Sequence, residues 1–215
     1  MSRTYFIDFD GTITLTDTCA LMVESCATDG WKELNDRWER GDLSTGEVAQ
    51  NKFELFDCSY GDIMKLMQTV EIDPHFDEFV QRATEAGREI YILSDGYDRL
   101  IDFILEREGL DHLPTYSNCM VVEETDASTA FDIRLPHHNP DCGSCGTCKT
   151  SLLEKLSEES DTVYIGDGYS DRCPIKYSDV VYAKDKLYQI AEQSKIDAVR
   201  FDRFDEIIRA EFCSD

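Results

Sequence analysis

The chain has 215 residues, 41% of them hydrophobic and 31% charged, which is enough apolar material to bury the core of one ample domain. It carries 45 acidic against 21 basic residues, a formal net charge of −24. A surface this negative repels phosphate backbones and anionic lipids, so the composition argues against nucleic-acid binding and against binding to a membrane surface.

The first predicted elements are one strand and a group of helices. The strand covers residues 4–7, and residues 17–71 then show amphipathic helical patterns without a convincing strand. These helices are predicted over 18–27, 31–40, 44–56 and 60–70. We expect this helical insertion to form a cap over the active edge of a sheet. Its own core is expected to consist of four aromatic residues, Trp31, Trp38, Phe53 and Phe56.

Strands and helices alternate in the rest of the chain. Further strands are predicted over 89–93, 162–165 and 179–183, and helices over about 75–87, 98–108, 149–158, 185–194 and 203–212. Continuous apolar strands separated by helices are typical of a parallel sheet buried between two helical layers. The sequence therefore predicts an α/β fold with a Rossmann-like core, formed by residues 1–16 and 72–215, and a small helical cap, formed by residues 17–71.

Acidic residues follow two of the predicted strands at the point where each strand ends. Asp8 and Asp10 follow the first strand, and Asp167 and Asp171 follow the strand over 162–165. Ligands of open parallel sheets bind outside the carboxyl ends of the strands, so we expect these side chains to lie at one edge. Neighbouring carboxylates repel each other unless a cation or a shared proton lies between them. The large acidic excess therefore has two compatible explanations, a solvated surface adapted to high salt and a cation site.

Groups that suit an anionic ligand are expected at the same edge. Ser94 ends the strand over 89–93 and offers a hydroxyl next to helix-starting amides, with Gly96 two residues later. Thr12 supplies another hydroxyl, and Lys149 begins a predicted helix and can neutralise negative charge. Together these groups predict a site for phosphoryl transfer. They comprise two carboxylates of different role, hydroxyls, a lysine and a further acidic pair.

These residues resemble, in order and spacing, the four motifs of the haloacid dehalogenase superfamily. The motifs are Asp8-Phe9-Asp10-Gly11-Thr12, Ser94, Lys149, and Gly166-Asp167-Gly168 through Asp171. The helical insertion after the first motif resembles the cap of the phosphoserine-phosphatase-like branch. Within that branch, nearly the whole chain is similar to the phosphatases of methionine salvage. The further landmarks of this likeness are Ile13-Thr14, Asp17, Trp31…Leu34, Ser44…Glu47, Pro136-His137 and Cys145-Gly146-Thr147-Cys148-Lys149.

The resemblance implies a Mg²⁺-dependent phosphatase that hydrolyses the phosphomonoester of a small metabolite. Asp8 would attack phosphorus and form an aspartyl-phosphate, and Asp10 would protonate the leaving alcohol and then deprotonate water. Asp8, the main-chain carbonyl of Asp10, and Asp167 would hold Mg²⁺. The phosphate would be bound by Thr12, Ser94, Gly96 and Lys149. Asp171 would orient Lys149 or support the metal ligands.

Several alternatives stay open. The substrate could be a ketose-type phosphate of methionine salvage or an amino-alcohol phosphate such as phosphoserine. Asp17 could bind a substrate amine, as a nearby acid does in the phosphoserine-phosphatase branch, or could cap the first helix of the insertion. Asp95 stands where relatives often have glycine and is expected to cap the helix that starts near Tyr97. The chain could also be a phosphotransferase or a non-catalytic, metal-binding regulatory protein, and its oligomeric state is not readable.

Three cysteines, Cys142, Cys145 and Cys148, form the densest cysteine spacing in the chain. Repeated Cys-x-x-Cys spacing is typical of zinc ligands, and either nearby histidine, His138 or His137, could be the fourth ligand. A glycine-rich loop with free thiols and a reversible disulfide are the alternatives. Because Cys148 directly precedes Lys149, a bond at this cysteine would position the predicted phosphate-binding lysine.

The remaining features bear on the compartment. The chain enters its first strand within a few residues, which leaves no room for a signal peptide, and no apolar run approaches the roughly 18 residues of a membrane span. The chain has nine cysteines, an odd number, and six of them are scattered through ordinary sequence. This usage predicts reduced thiols and a cytoplasmic protein. Five of the cysteines are expected to be buried as small hydrophobic residues: Cys19, Cys26, Cys58, Cys119 and Cys213.

Overall fold

The computed structural model describes residues 3–125, 128–157 and 160–213, which contain a seven-stranded sheet. Its strands are β1 (Arg3–Ile7), β2 (Glu89–Tyr97), β3 (Thr115–Glu124), β4 (Thr129–Arg134), β5 (Asp161–Gly166), β6 (Val180–Ala183) and β7 (Val199–Arg200). Their order across the sheet is β4-β3-β2-β1-β5-β6-β7. All neighbours are parallel except β3 and β4, which pair antiparallel.

Both faces of the central strands are buried, because helices cover the sheet on two sides. One layer contains α5 (Phe76–Glu85), α6 (Asp98–Arg107) and α9 (Phe204–Phe212), and the other contains α7 (Lys149–Leu156) and α8 (Asp185–Ser194). Successive strand residues point to opposite faces, so Tyr5 and Ile7 pack in the first layer and Phe6 packs in the second. This architecture confirms the predicted α/β class with a mainly parallel sheet.

The helical insertion, residues 17–71, contains the four predicted helices. They are α1 (Thr18–Cys26), α2 (Trp31–Glu39), α3 (Thr45–Phe53) and α4 (Tyr60–Met67). The Asp17 side chain accepts a hydrogen bond from the Ala20 amide at 2.7 Å and so caps α1, one of its two predicted roles. The chain enters the insertion after Thr14 and leaves it before Ile72. These two segments lie side by side, because Thr14 and Ile72 form an antiparallel bridge.

The aromatic residues of the insertion divide into two groups. Phe53 and Phe56 pack against each other and against Phe131 of β4, with ring centroids 5.8 and 5.5 Å from Phe131, so they belong to a core shared with the sheet rather than to a core of the insertion alone. For Trp31 and Trp38 the expectation was wrong, because both are half-buried and line a cavity. No residue of α2, which is described in full, is completely buried. The apolar side of this helix therefore borders the cavity rather than a protein core.

Strands β3, β4 and the two-residue β7 were not predicted from the sequence. Continuous apolar runs identify strands that are buried on both faces, and β4 and β7 have no such run. In β4 only Phe131 is buried, and the charged Asp132 and Arg134 alternate with it on the exposed face. Such a strand at the edge of a sheet shows alternation over a few residues instead of an apolar run.

The cysteines differ from the expectation of uniformly reduced, buried thiols. Cys26 at the end of α1 and Cys58 before α4 form a disulfide, with their Cα atoms 5.4 Å apart. Cys213 is exposed, and Cys19 and Cys119 are only partly buried. Within the described ranges, none of the helices is both long and apolar enough to cross a membrane.

Candidate active site

The topology brings three strand ends to one crevice. β1 lies between β2 and β5, and the chain leaves β1 toward one half of the sheet and later returns to build the other half. Ligands of open α/β sheets bind where the strand order reverses in this way. Asp8 follows β1, Ser94 lies near the end of β2, and Asp167 follows β5. Three of the four predicted motifs therefore lie at or near the ends of neighbouring strands, and the fourth, Lys149, begins α7.

The turn after β1 is packed tightly against Asp167. Gly11 has a φ of 77°, and a Cβ atom at this position would lie 2.6 Å from Asp167 Oδ2, so the turn requires glycine. The Thr12 hydroxyl donates a hydrogen bond to Asp167 Oδ1 at 2.9 Å and is fully buried. Thr12 thus orients a carboxylate of the site, which differs from the predicted contact with phosphate.

Lys149 joins two of the predicted carboxylates. Its Nζ atom lies 2.5 Å from Asp8 Oδ1 and 2.7 Å from Asp171 Oδ1, and all three side chains are almost completely buried. Burial by itself would lower the pKa of Lys149, but the carboxylates of Asp171 and Asp8 outweigh it and raise this pKa well above its ordinary value. The lysine is therefore fully charged and is held against Asp8.

Asp171 is fixed by contacts on all sides. It accepts hydrogen bonds from the Tyr164 hydroxyl at 2.6 Å and from the amides of Asp167 at 3.2 Å and Gly168 at 3.0 Å. Together with its bond to Lys149, these contacts occupy both carboxylate oxygens. Asp171 therefore contacts Lys149 directly, and its predicted role of orienting the lysine stays a prediction.

The donor set suits Mg²⁺. Carboxylate oxygens of Asp8, Asp167 and Asp171 all lie within 4.8 Å of one another. Burial, followed by the Asp171 carboxylate, raises the pKa of Asp8 well above its ordinary value and that of Asp167 to about 6. Burial and mutual repulsion disfavour the ionised form of these carboxyl groups. A hard divalent cation bound between the carboxylates would stabilise that form. Both oxygens of Asp171 already accept hydrogen bonds from Lys149, Tyr164 and backbone amides. Asp8 and Asp167 are therefore the carboxylates of this cluster that are available as metal ligands.

Asp10 lies between the insertion and the turn of β2. Its Oδ1 atom accepts hydrogen bonds from the Thr18 amide at 2.8 Å and hydroxyl at 2.5 Å, and Ser94 Oγ lies 3.3 Å from Oδ2. The Gly96 amide donates to Ser94 Oγ at 2.8 Å. Burial, followed by the carboxylate of Asp17, raises the pKa of Asp10 to about 7. Protonated and ionised forms of this carboxyl therefore both occur near neutral pH, which suits a group that gives and takes a proton.

Asp95 has a different partner from the one expected. Its Oδ1 atom accepts a hydrogen bond from the Thr147 amide at 2.7 Å, and the first turn of α6 has no side-chain cap from residue 95. The side chain of Asn118 donates to the main-chain oxygen of Asp95 at 2.7 Å. Asp95 thus connects the turn after β2 to the segment that leads into Lys149.

A cavity of about 380 Å³ extends from these groups into the insertion. Asp8, Asp10, Ser94, Gly96 and Asp167 lie at its base. Its upper walls come from the insertion, where apolar side chains are mixed with polar ones: Asp17, Val23, Trp31, Asn35, Trp38, Val48 and Lys52. Lys149 and Thr12 are not part of the lining.

Lys52 is a residue that sequence reasoning missed. It lies on α3 one turn after Val48, and burial lowers the pKa of its amine. Among the described residues its side-chain amine has neither a hydrogen-bond nor an ion-pair partner, and the contact of Lys52 with Leu55 is made by its main-chain oxygen. The signal in the sequence was the helical spacing of Thr45, Val48 and Lys52, which puts a cation on the same helix face as an apolar residue.

The loop at residues 142–148, called the cysteine loop, gives no support to the predicted zinc site. Among the side chains that the structure describes, the groups able to hold an ion are Asp8 with Asp167 and Asp171, and Asp10 with Asp17 and Cys19. The Nδ1 atom of His138 lies 2.9 Å from the main-chain oxygen of Cys145, so this ring nitrogen contacts the backbone.

Known proteins similar to this chain are phosphatases. Residues 4–198 match the model of a family described as "Putative Phosphatase". The chain is 33% identical to the 2-hydroxy-3-keto-5-methylthiopentenyl-1-phosphate phosphatase of Bacillus mycoides (strain KBAB4), over 97% of this chain and 95% of the relative. It is also 33% identical to the enzyme of the same name from Bacillus cereus (strain B4264), over 96% and 94% of the two chains.

Phosphoserine phosphatases are among the solved structures of similar fold. A phosphoserine phosphatase captured as an analogue of its phospho-aspartyl intermediate superimposes with a TM-score of 0.73 at 20% identity, covering 97% of this chain and 98% of its own. A substrate-bound phosphoserine phosphatase gives 0.73 at 19% identity, covering 98% of each chain. The chain therefore belongs to the family described as "Putative Phosphatase" and is a phosphomonoester hydrolase that acts on a small phosphorylated metabolite.

Proposed function

We propose that Asp8 is the nucleophile of this phosphatase. Its buried carboxylate lies at the base of the cavity, and Lys149 holds it through Oδ1 at 2.5 Å. Attack on phosphorus forms an aspartyl-phosphate and releases the alcohol, and attack by water then frees phosphate. The observation that carries the proposal is the convergence of Asp8, Lys149 and Asp167 at the switch point of the sheet, next to a cavity of metabolite size.

Asp10 acts as the acid and base of the two steps. Its carboxyl is held by Thr18, the first residue of α1, and lines the cavity that the leaving group would occupy. A protonated Asp10 gives its proton to the departing alkoxide, and the resulting carboxylate removes a proton from the attacking water. Ser94 supplies a hydroxyl and Lys149 a positive charge for the phosphoryl oxygens, and the Gly96 amide, which donates to Ser94 Oγ at 2.8 Å, orients that hydroxyl.

Asp8, the main-chain carbonyl of Asp10, and Asp167 would hold Mg²⁺. When bound, the ion supplies positive charge for the phosphoryl oxygens. Thr12 donates to Asp167 and keeps this carboxylate in position for the metal. The helical insertion acts as a cap in this proposal, since its side chains form the walls of the cavity above the reacting groups.

The leading substrate is a ketose-type phosphate such as the compound that the Bacillus relatives are named for. The cavity walls support this choice, because Val23, Trp31, Trp38 and Val48 give them an apolar and aromatic surface that suits the thioether tail of such a compound. Lys52 would then bind the keto or hydroxyl oxygen near the phosphate. A second candidate, phosphoserine, is favoured by a different observation. Asp17 and Lys52 line the same cavity and could bind an ammonium and a carboxylate.

The proposed function is tested with a panel of phosphomonoesters. The purified protein is incubated with 2-hydroxy-3-keto-5-methylthiopentenyl-1-phosphate, phosphoserine and 4-nitrophenyl phosphate, in Mg²⁺ or in EDTA, and released phosphate is measured. We expect the ketose-type phosphate to give the highest kcat/KM and EDTA to abolish all release. A preference for phosphoserine would select the second candidate, and release that survives EDTA would contradict the role of Mg²⁺.

Replacement of Lys52 tests whether the cavity binds the part of the substrate next to the phosphate. Lys52→Met should raise KM for the preferred substrate about tenfold or more, because one charge-assisted hydrogen bond is lost. The same change should leave kcat/KM for 4-nitrophenyl phosphate within about threefold, since this ester lacks the keto and hydroxyl oxygens next to the phosphate that the amine is proposed to bind. Lys65→Met, which removes an exposed lysine of α4, is the matched control. Equal losses on both esters would contradict a role for Lys52 in substrate selection.

A further inference from the structure

The cysteine loop contains a group of thiols that the phosphatase mechanism does not use. The Cys142 amide donates to the main-chain oxygen of Asn139 at 3.1 Å, and the Asn139 side chain donates at 2.8 Å to the Ser151 hydroxyl, which lies 3.2 Å from the Cys148 sulfur. These contacts hold Cys142 and Cys148 at the same end of the loop. Burial, followed by Cys148, raises the pKa of Cys142, and Cys173 contributes to the raised pKa of both Cys142 and Cys145. Cys142 is exposed, whereas Cys145 and Cys148 are buried. A reagent from solution therefore reaches Cys142 first, with a buried thiol next to it.

Cys148 is the buried thiol with the more direct connection to the site. It is the residue immediately before α7, and Lys149 is the first residue of that helix. The Cys148 sulfur lies 3.2 Å from the Ser151 hydroxyl in the first turn. Burial, followed by the carboxylate of Asp95, raises the pKa of Cys145 to about 12, so Cys145 stays protonated and is a poor nucleophile at neutral pH.

Two further contacts join the cysteine loop to the parts of the protein that bind substrate. The Thr45 amide at the start of α3 donates to the Ser144 main-chain oxygen at 3.0 Å. The Thr147 amide donates to Asp95 in the turn after β2. A change in the conformation of the cysteine loop would therefore displace the start of α3, the turn that carries Ser94, and Lys149.

From this juxtaposition we propose that Cys142 and Cys148 form a reversible disulfide that lowers the activity of the enzyme. A low-molecular-weight disulfide is the oxidant. The Cys142 thiolate attacks it and releases one small thiol, and the Cys148 thiolate then attacks the Cys142 sulfur and releases the second. The two protein thiols lose two electrons and two protons, and both are recovered in the two released small thiols.

The disulfide lowers the activity by moving Lys149 relative to Asp8. It draws the Cys148 sulfur away from Ser151 and shortens the loop that presents Lys149, whose Nζ lies 2.5 Å from Asp8 in the reduced protein. Displacements of about an ångström at a reacting group cost roughly ten- to hundredfold in rate, so we expect a loss of this size in kcat/KM. This part rests on the proposed function, whereas formation of the disulfide does not.

The experiment brings the full-length protein to equilibrium with reduced and oxidised glutathione at pH 8, because burial raises the pKa of Cys142 and slows exchange at lower pH. Peptide mapping under non-reducing conditions identifies the crosslink, and kcat/KM is measured on the best substrate of the panel. We expect a Cys142–Cys148 peptide in oxidising buffer, the loss of activity given above, and full recovery after reduction.

Variants separate this pair from the other cysteines. Cys142→Ser should have the activity of the reduced enzyme in every buffer, and Cys213→Ser, which removes another exposed thiol, should respond like the wild type. A response that persists in Cys142→Ser would assign the effect to Cys26 and Cys58 and overturn the proposal. A crosslink from Cys142 to Cys145 or Cys173, an unchanged kcat/KM in the crosslinked enzyme, or stoichiometric zinc in the purified protein would also overturn it. If the panel gives no phosphate release, the mapped peptide still decides whether the disulfide exists.

Discussion

Asp8→Asn is expected to reduce Mg²⁺-dependent phosphate release by at least about 10⁴-fold, because the amide cannot form the acyl-phosphate linkage. The same substitution should leave the metal-free protein at least as stable as the wild type. Carboxylate oxygens of Asp8, Asp167 and Asp171 lie within 4.8 Å of one another, and asparagine removes one of these negative charges. The amide oxygen can still accept a hydrogen bond from Lys149.

Thermal unfolding in EDTA and in Mg²⁺ provides a measurement that is independent of turnover. Mg²⁺ should raise the melting temperature of the wild type, since a ligand of the folded state stabilises it, and should raise that of Asp8→Asn much less. Asp36→Asn makes the same chemical change on the exposed side of α2 and is the matched control. Turnover above about 1% of wild type in Asp8→Asn would refute the nucleophile, and an equal response of both proteins to Mg²⁺ would refute Asp8 as a metal ligand.

The positions of the main site residues could be predicted because these residues lie at the ends of strands. Asp8, Ser94 and Asp167 each follow or end a continuous apolar run, and parallel strands bring their carboxyl ends to one edge. The helices were predicted for a related reason. Their apolar residues recur at the helical period, and caps such as Asp17 and the Ser44–Glu47 pair mark where they begin.

Contacts between distant segments could not be predicted in this way. Asp95 was expected to cap the helix that follows it, yet its partner is Thr147, 52 residues further along the chain. The tryptophans of α2 were expected in a core, because an amphipathic pattern shows that a face is apolar but not whether protein or ligand covers it. The Cys26–Cys58 disulfide and the nearness of Cys173 to the cysteine loop depend on the same missing information.

Asp10 has the second large predicted effect, and its size should depend on the leaving group. Asp10→Asn removes the proton donor, so hydrolysis of an alkyl phosphate should slow by about 10²–10⁴-fold. For 4-nitrophenyl phosphate the loss in the first step should stay under about tenfold, because nitrophenolate leaves without a proton. Asparagine keeps an oxygen that can accept from Thr18, so the turn after β1 should remain folded.

The decisive measurements for Asp10 are the ratio of the two losses and the pH profile of the wild type. The acid form is needed for an alkyl leaving group, and the pKa of Asp10 is raised to about 7, so kcat/KM for an alkyl phosphate should fall as the pH rises through 7. With 4-nitrophenyl phosphate this fall should be weaker. Asp17→Asn should move the fall to lower pH, because the Asp17 carboxylate contributes to the raised pKa of Asp10. Equal losses on both esters in Asp10→Asn would show that this carboxyl positions the site without transferring the proton.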